Sequence, residues 1–226
     1  GKEIDNHILG YGPTLHDKVK ELYKKSFWKY DIVTVGEAWG DLQKAIEFTD
    51  PNNKELDMVF QFECVTSNWG DTLYGKFIPN KVDLEKIKHT LIKYQHGLNK
   101  HSWNALFVEN HDMPRSINKF GSFDYFKQSC KAIAVMNYCL KGTPYIYQGQ
   151  EIGMTNMQVN SLDEFIDIET INVRKTMNSL PLTKKYIDKS IKNGSRDNSR
   201  VPMHWDDSEY AGFSNVKPWL KVNKNK

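Results

Sequence analysis

Residues 104–115, Asn-Ala-Leu-Phe-Val-Glu-Asn-His-Asp-Met-Pro-Arg, constrain the fold more than any other stretch. The run starts apolar, turns abruptly polar and is stopped by a proline. A dry strand that delivers Asn, His, Asp and Arg at its C-terminal end is the way parallel-sheet enzymes present reactive groups. Residues 31–37, Asp-Ile-Val-Thr-Val-Gly-Glu, end in the same manner. The central expectation is that Glu37 and Asp112 face one pocket.

The strands around these two follow from the same patterning. Residues 57–63 (Asp-Met-Val-Phe-Gln-Phe-Glu) form a further strand candidate, and residues 142–149 another, which Pro144 can open but not continue through. Amphipathic stretches separate them. Residues 14–28 place Leu15, Val19, Leu22 and Phe27 on one face, residues 84–96 turn Leu84, Ile87, Leu91 and Ile92 inward, and residues 123–140 form a longer helix. Alternation of strand and helix implies parallel strands joined by right-handed crossovers, the α/β class. Beyond Gly149 the pattern breaks into a polar insertion with helices expected at 161–178 and 183–192. Long segments after a strand usually build the pocket.

With 226 residues the chain can bury a substantial core. Its 31 basic and 28 acidic residues are mixed along the sequence, which gives no case for a nucleic-acid or membrane partner. The polar end at residues 224–226 is too short to be a basic arm. Three cysteines, Cys64, Cys130 and Cys139, lack metal-type spacing and read as buried thiols of a reducing compartment. No signal-peptide core or membrane-length apolar run is present, so the expected location is cytoplasmic.

Glu37 follows Gly36, where backbone can approach a ligand closely, and a carboxylate at a buried strand end is expected to be partly desolvated and suited to general acid catalysis. A helix cap or a pairing with arginine is the plainer alternative. Asn110, His111 and Asp112 put three hydrogen-bonding groups in a row, which packing explains poorly; a polar turn is the alternative, and a metal site fits the spacing badly. Two carboxylates beside aromatic platforms suit glycosidic cleavage, where an oxygen must be protonated and a developing cation stabilised. Trp39, Phe62 and Glu63 lie near these strand ends. Residues 195–206 add two arginines in a loop, either a wall of the pocket or a surface ion-pair network.

Together, residues 34–40, 58–63, 110–115, 142–156 and 196–205 resemble the α-amylase-type glycoside hydrolases (family 13), in the oligo-1,6-glucosidase and dextran glucosidase branch. The resemblance implies strands 5–8 of a (β/α)8 TIM barrel, with residues 1–226 forming a partial catalytic domain. It places Glu37 at the acid/base position and Asp112 at the transition-state stabiliser. His111 and Arg196 then bind the reacting sugar, and Trp39, Phe62 and Glu169 shape that subsite or its neighbour. It implies a retaining α-glucosidase acting on short α-1,6-linked gluco-oligosaccharides, with no cofactor. Trehalose-6-phosphate hydrolysis, sucrose-acting transglucosylation and a non-catalytic barrel relative remain alternatives. Read without the family, Glu37 and Asp112 could form an inverting pair at a separation of about 6.5–9.5 Å. The nucleophile motif of the family is absent, residues 1–17 resemble the segment that comes just after that motif, and the chain alone is expected to be inactive.

Overall fold

A computed structural model describes residues 12–72, 74–98 and 102–224. The opening segment 1–11, which carries most of the family's post-nucleophile resemblance, lies outside them, as do residues 225 and 226. The chain divides into two compact units. The first comprises Gly1–Ser67, Asp83–Leu106 and Leu140–Tyr145; the second comprises Asn68–Val82, Phe107–Cys139 and Ile146–Lys226.

The first unit holds a four-stranded sheet: β1 (Val35–Ala38), β2 (Met58–Gln61), β3 (Trp103–Leu106) and β4 (Thr143–Pro144), in the order β1-β2-β3-β4. Every pairing is parallel, with Val35 opposite Met58, Met58 opposite Trp103, and Ala105 opposite Thr143. Helices α1 (Leu15–Lys25), α2 (Leu42–Thr49) and α3 (Leu84–Gly97) belong to this unit. The α/β class expected from the alternation is therefore present. Its core gathers Ala45 and Phe48 of α2, Val59 of β2, and Tyr94 and Leu98 around α3, with Leu15 and Val19 of α1 packed against them. Asp41 and Asp83 start α2 and α3 by accepting hydrogen bonds from the backbone N–H groups of Lys44 and of Glu85 and Lys86.

The strands are shorter than the apolar runs that announced them. Residues 31–34 are not part of β1, although Thr34 is tied to the chain entering β2: its O accepts from Asp57 N and Met58 N at 3.2 Å, and the Asp57 carboxylate accepts from the Thr34 N–H and hydroxyl, each at 2.7 Å. Ile32 and Val33 are exposed. Pro144 ends β4 after two residues for want of an N–H, although Tyr145 adds one more bond to Leu106 O at 2.7 Å. Three side chains expected inside, Leu22, Leu84 and Ile92, are exposed. Leu22 and Leu84 lie near the ends of the faces that Leu15 and Val19, and Ile87 and Tyr94, turn to the core, whereas Ile92 stands off the buried stripe of α3.

Gly142 brings β4 against β3. Its φ is +149°, and a Cβ there would lie 2.5 Å from Asn104 O and 2.9 Å from Leu106 Cγ. Gly142→Ala should therefore cost about 1–3 kcal/mol, read as a lower urea midpoint with an unchanged slope. An unaltered midpoint would show that the contact relaxes without cost.

In the second unit α4 (Ser116–Phe120) and α5 (Phe126–Tyr138) pack around Val108, Ile117 and Ile133. The polar insertion forms a 3-10 turn at Leu162–Glu164, then α6 (Ile168–Asn178) and α7 (Lys184–Gly194). The expected helix 161–178 is thus interrupted, because Asp167 starts a new helix by capping Thr170 N. Ile187, Ser190, Ile191 and Gly194 form the buried stripe of α7, facing a core that includes Phe77, Met154, Val173, Met177 and Leu220. The cysteines correct the uniform expectation of burial. Cys64 is buried and Cys130 half-buried, but Cys139 is exposed because it caps the end of α5. Among the described residues no helix is long and apolar enough to cross a membrane.

Candidate active site

His111 and Asp112 occupy a turn rather than the strand itself, since β3 ends at Leu106. Asn110 builds the turn: its Oδ1 accepts from Asp112 N at 2.9 Å. Asp112 and His111 are thereby held with their side chains partly open to solvent, His111 Nε2 lying 3.5 Å from Asp112 Oδ2.

Two guanidinium groups converge on the other carboxylate oxygen. Arg200 Nη2 donates to Asp112 Oδ1 at 2.7 Å, and its Nε donates to His111 O at 2.9 Å. Arg196 Nη1 stands 3.7 Å from the same Oδ1. Arg196 is itself held by Asp167, whose Oδ1 accepts from its Nε at 2.9 Å and lies 2.7 Å from its Nη2. Burial works against the Asp167 carboxylate, yet the bonds from Arg196 and from Thr170 N and Oγ1 hold it below its ordinary range. Burial likewise opposes the charge of Arg196, but Asp167, Glu169 and Asp112 raise its pKa above the ordinary value.

Glu169, in the first turn of α6, lies 3.3 Å from Arg196 Nε and accepts from Lys76 Nζ at 2.5 Å. Lys76 Nζ also stands 3.4 Å from Asp112 O. One connected set of charges therefore contains Asp112, Arg196, Arg200, Asp167, Glu169 and Lys76, with His111 beside it. Such a set can grip several hydroxyls of one sugar ring through charge-assisted hydrogen bonds.

The other three expected residues belong to the first unit. Glu37 is on β1, Trp39 follows that strand, and Phe62 follows β2. Trp39 is half-exposed and stacks on Phe62, with ring centroids 4.2 Å apart and planes 8° apart. Phe62 is only 3% exposed, so it supports the indole from beneath. Glu63, considered at the sequence level as a sugar contact, instead accepts from Lys93 Nζ at 2.6 Å and from Tyr94 OH at 3.2 Å. The desolvation expected for Glu37 is not found. It is exposed, because β1 is an edge strand among the described residues.

Sequence reasoning missed Arg200, Asp167 and Lys76. The two arginines stand four residues apart in one polar loop, and nothing in the spacing says which reaches Asp112. Asp167 carries the signature of a helix cap, Asp-x-x-Thr, which conceals its bond to Arg196. Lys76 lies in an irregular loop with no pattern at all.

A parallel α/β sheet in one unit and, in the other, a partly open cluster of carboxylates and guanidiniums able to bind hydroxyls fit the carbohydrate-active class of protein. Comparison with known proteins makes that assignment specific. The family described as alpha amylase, catalytic domain, matches residues 2–226, and the chain belongs to it. An oligo-1,6-glucosidase of Halalkalibacterium halodurans is 39% identical over 216 residues, covering 95% of this chain and 38% of that protein. A glucan 1,6-alpha-glucosidase of Streptococcus pneumoniae is 40% identical over 228 residues, covering 100% of this chain and 43% of that protein. Among solved structures, a trehalose-6-phosphate hydrolase of Bacillus licheniformis superposes with a TM-score of 0.89 at 36% identity, covering 100% of this chain and 41% of that one. An isomaltulose synthase of Erwinia rhapontici superposes at 0.87 with 33% identity, covering 95% and 39%. The chain thus spans about two-fifths of the length of the relatives it matches.

Proposed function

We propose that this chain is the second half of a (β/α)8 catalytic domain, strands 5–8, in a retaining exo-α-glucosidase that removes glucose from short α-1,6-linked oligosaccharides. One observation carries the reading: Asp112, at the end of the Asn-His-Asp turn, holds Arg200 at 2.7 Å and Arg196 at 3.7 Å. That arrangement suits a carboxylate that stabilises a flattening, positively charged sugar while the guanidiniums keep its orientation fixed. The names of relatives near 40% identity supply the linkage.

In this mechanism Glu37 protonates the leaving oxygen and later activates water. His111, Arg196 and Arg200 bind hydroxyls of the reacting sugar. Trp39, backed by Phe62, and Glu169, oriented by Lys76, shape the neighbouring position. The covalent step needs a nucleophile from elsewhere in a longer protein. A cytoplasmic location belongs to the same reading and is supported by the three free thiols. Trehalose 6-phosphate or sucrose as substrate is the second reading, favoured by the likeness to a trehalose-6-phosphate hydrolase and an isomaltulose synthase.

The deciding experiment offers the complete protein isomaltotriose, trehalose 6-phosphate and sucrose, and follows the anomer released by NMR. We expect α-glucose from isomaltotriose, formed at least tenfold faster than product from the other two, and no turnover by the isolated chain. Release of β-glucose would end the retaining mechanism, and a preference for either other sugar would replace the linkage.

A further inference from the structure

The second unit contains a cavity of about 170 Å³ that none of Asp112, Glu169, Arg196 and Arg200 lines. Asparagines dominate its wall: Asn68, Asn80, Asn118, Asn156 and Asn193. Asn68 and Asn80 come from one loop, joined by a bond from Asn80 N to Asn68 O at 2.7 Å, and the other three from separate segments, so no single helical face or turn accounts for the grouping. Trp69, Lys76 and Lys119 complete the polar side.

These amides are only partly used by the fold. Asn118 Oδ1 accepts from Asn156 N at 2.7 Å, and Asn156 Oδ1 accepts from Arg115 N at 2.8 Å. Both bonds take the oxygen and leave the amide N–H groups of these side chains unclaimed among the described residues. Asn68 is 6% exposed, and its Oδ1 is buried with no hydrogen-bond partner among the described residues. An orphaned buried acceptor costs about 1–3 kcal/mol, so something in the cavity is expected to satisfy it.

We propose that this cavity is a second binding site, taking one small neutral polyhydroxylated molecule of the size of a single sugar ring. A space of about 170 Å³ is on the scale of one small ligand, below the usual range of pockets that take larger ones. Paired amide donors and acceptors match vicinal hydroxyls, and the Trp69 indole offers an apolar face to the C–H side of a ring. Among the described residues no carboxylate lines the cavity, so a cation is unsuited. The ammonium groups do not make it an anion site: Lys76 is committed to Glu169 at 2.5 Å, and Lys119 lies over the Phe120 ring at 4.8 Å. Lys76, which lines this wall, stands 3.4 Å from the backbone oxygen of Asp112, and Pro114 follows Asp112 by two residues. The proposal stands without the glucosidase reading.

The test is a titration of the full chain with D-glucose, followed by Trp fluorescence, by the backbone amide NMR signals and by the side-chain amide NMR signals of the five asparagines. Saturable shifts of Asn68, Asn118 and Asn156 are expected. Asn68→Leu should weaken binding at least tenfold, and Val82→Phe, which fills the mouth without removing a buried polar group, should do the same. Asp112→Asn should leave the affinity within twofold. The proposal falls if no shift saturates, if Val82→Phe binds as tightly as the parent, or if only His111 and Asp112 respond. The last outcome would leave the proposed glucosidase site standing. Tighter binding of inorganic phosphate than of glucose would overturn the neutral class of ligand.

Discussion

In the complete protein, Glu37→Gln should lower kcat on isomaltose by about 10²–10⁴-fold, the usual contribution of a positioned proton donor. Glucose is a poor leaving group and needs its oxygen protonated as the bond breaks. A nitrophenyl α-glucoside departs readily without that help, so its first step should lose far less. The split between the two substrates is the diagnostic quantity. An equal loss below about tenfold on both would remove Glu37 from the acid position. The variant is informative because Glu37→Gln keeps the shape of the side chain and disturbs no hydrogen bond among the described residues.

The second large effect concerns Arg115, which is 0% exposed. Its Nη1 donates to Glu109 Oε1 at 2.9 Å and to Gln148 O at 2.7 Å, and its guanidinium lies over the Tyr147 ring at 5.1 Å. Glu109 Oε2 accepts in turn from Ser116 N at 2.6 Å. Arg115→Met would leave a buried carboxylate without its partner, a change that costs about 3–5 kcal/mol. For a chain of this size each kcal/mol is worth about 2–4 °C, so the melting temperature should fall by roughly 6–20 °C. Replacing both partners, Arg115→Met with Glu109→Leu, should recover much of the loss, since an apolar pair leaves no stranded charge. A single variant as stable as the parent would mean that water reaches Glu109.

Periodicity identified the class of the fold and each strand, because apolar runs bounded by turn residues report burial directly. It overstated their lengths, since an apolar run such as Ile32-Val33 does not reveal that its side chains stay exposed ahead of the first paired residue. Helix α2 went unrecognised: its buried face is only Ala45, Phe48 and Thr49, too short a stripe to stand out. At the candidate site, His111 and Asp112 stood out as polar groups at the end of an apolar run, and Arg196 only as one of two arginines in a polar loop. Arg200 and Lys76 were not, because their role comes from contacts 88 and 93 residues away in sequence. The exposure of Glu37 was equally hidden, as it depends on which strand stands at the edge.

The 199–200 segment is tied inward as well as outward. Tyr147 OH donates to Ser199 O at 2.9 Å, Ser199 Oγ donates to Met113 O, and the next residue carries the guanidinium that meets Asp112. A loop anchored this way cannot drift in length or sequence without disturbing the molecule's interior. Insertions and deletions should therefore be rarer in this loop than in segments whose contacts are all local, because a shift of one residue here would move a buried hydroxyl and a guanidinium together.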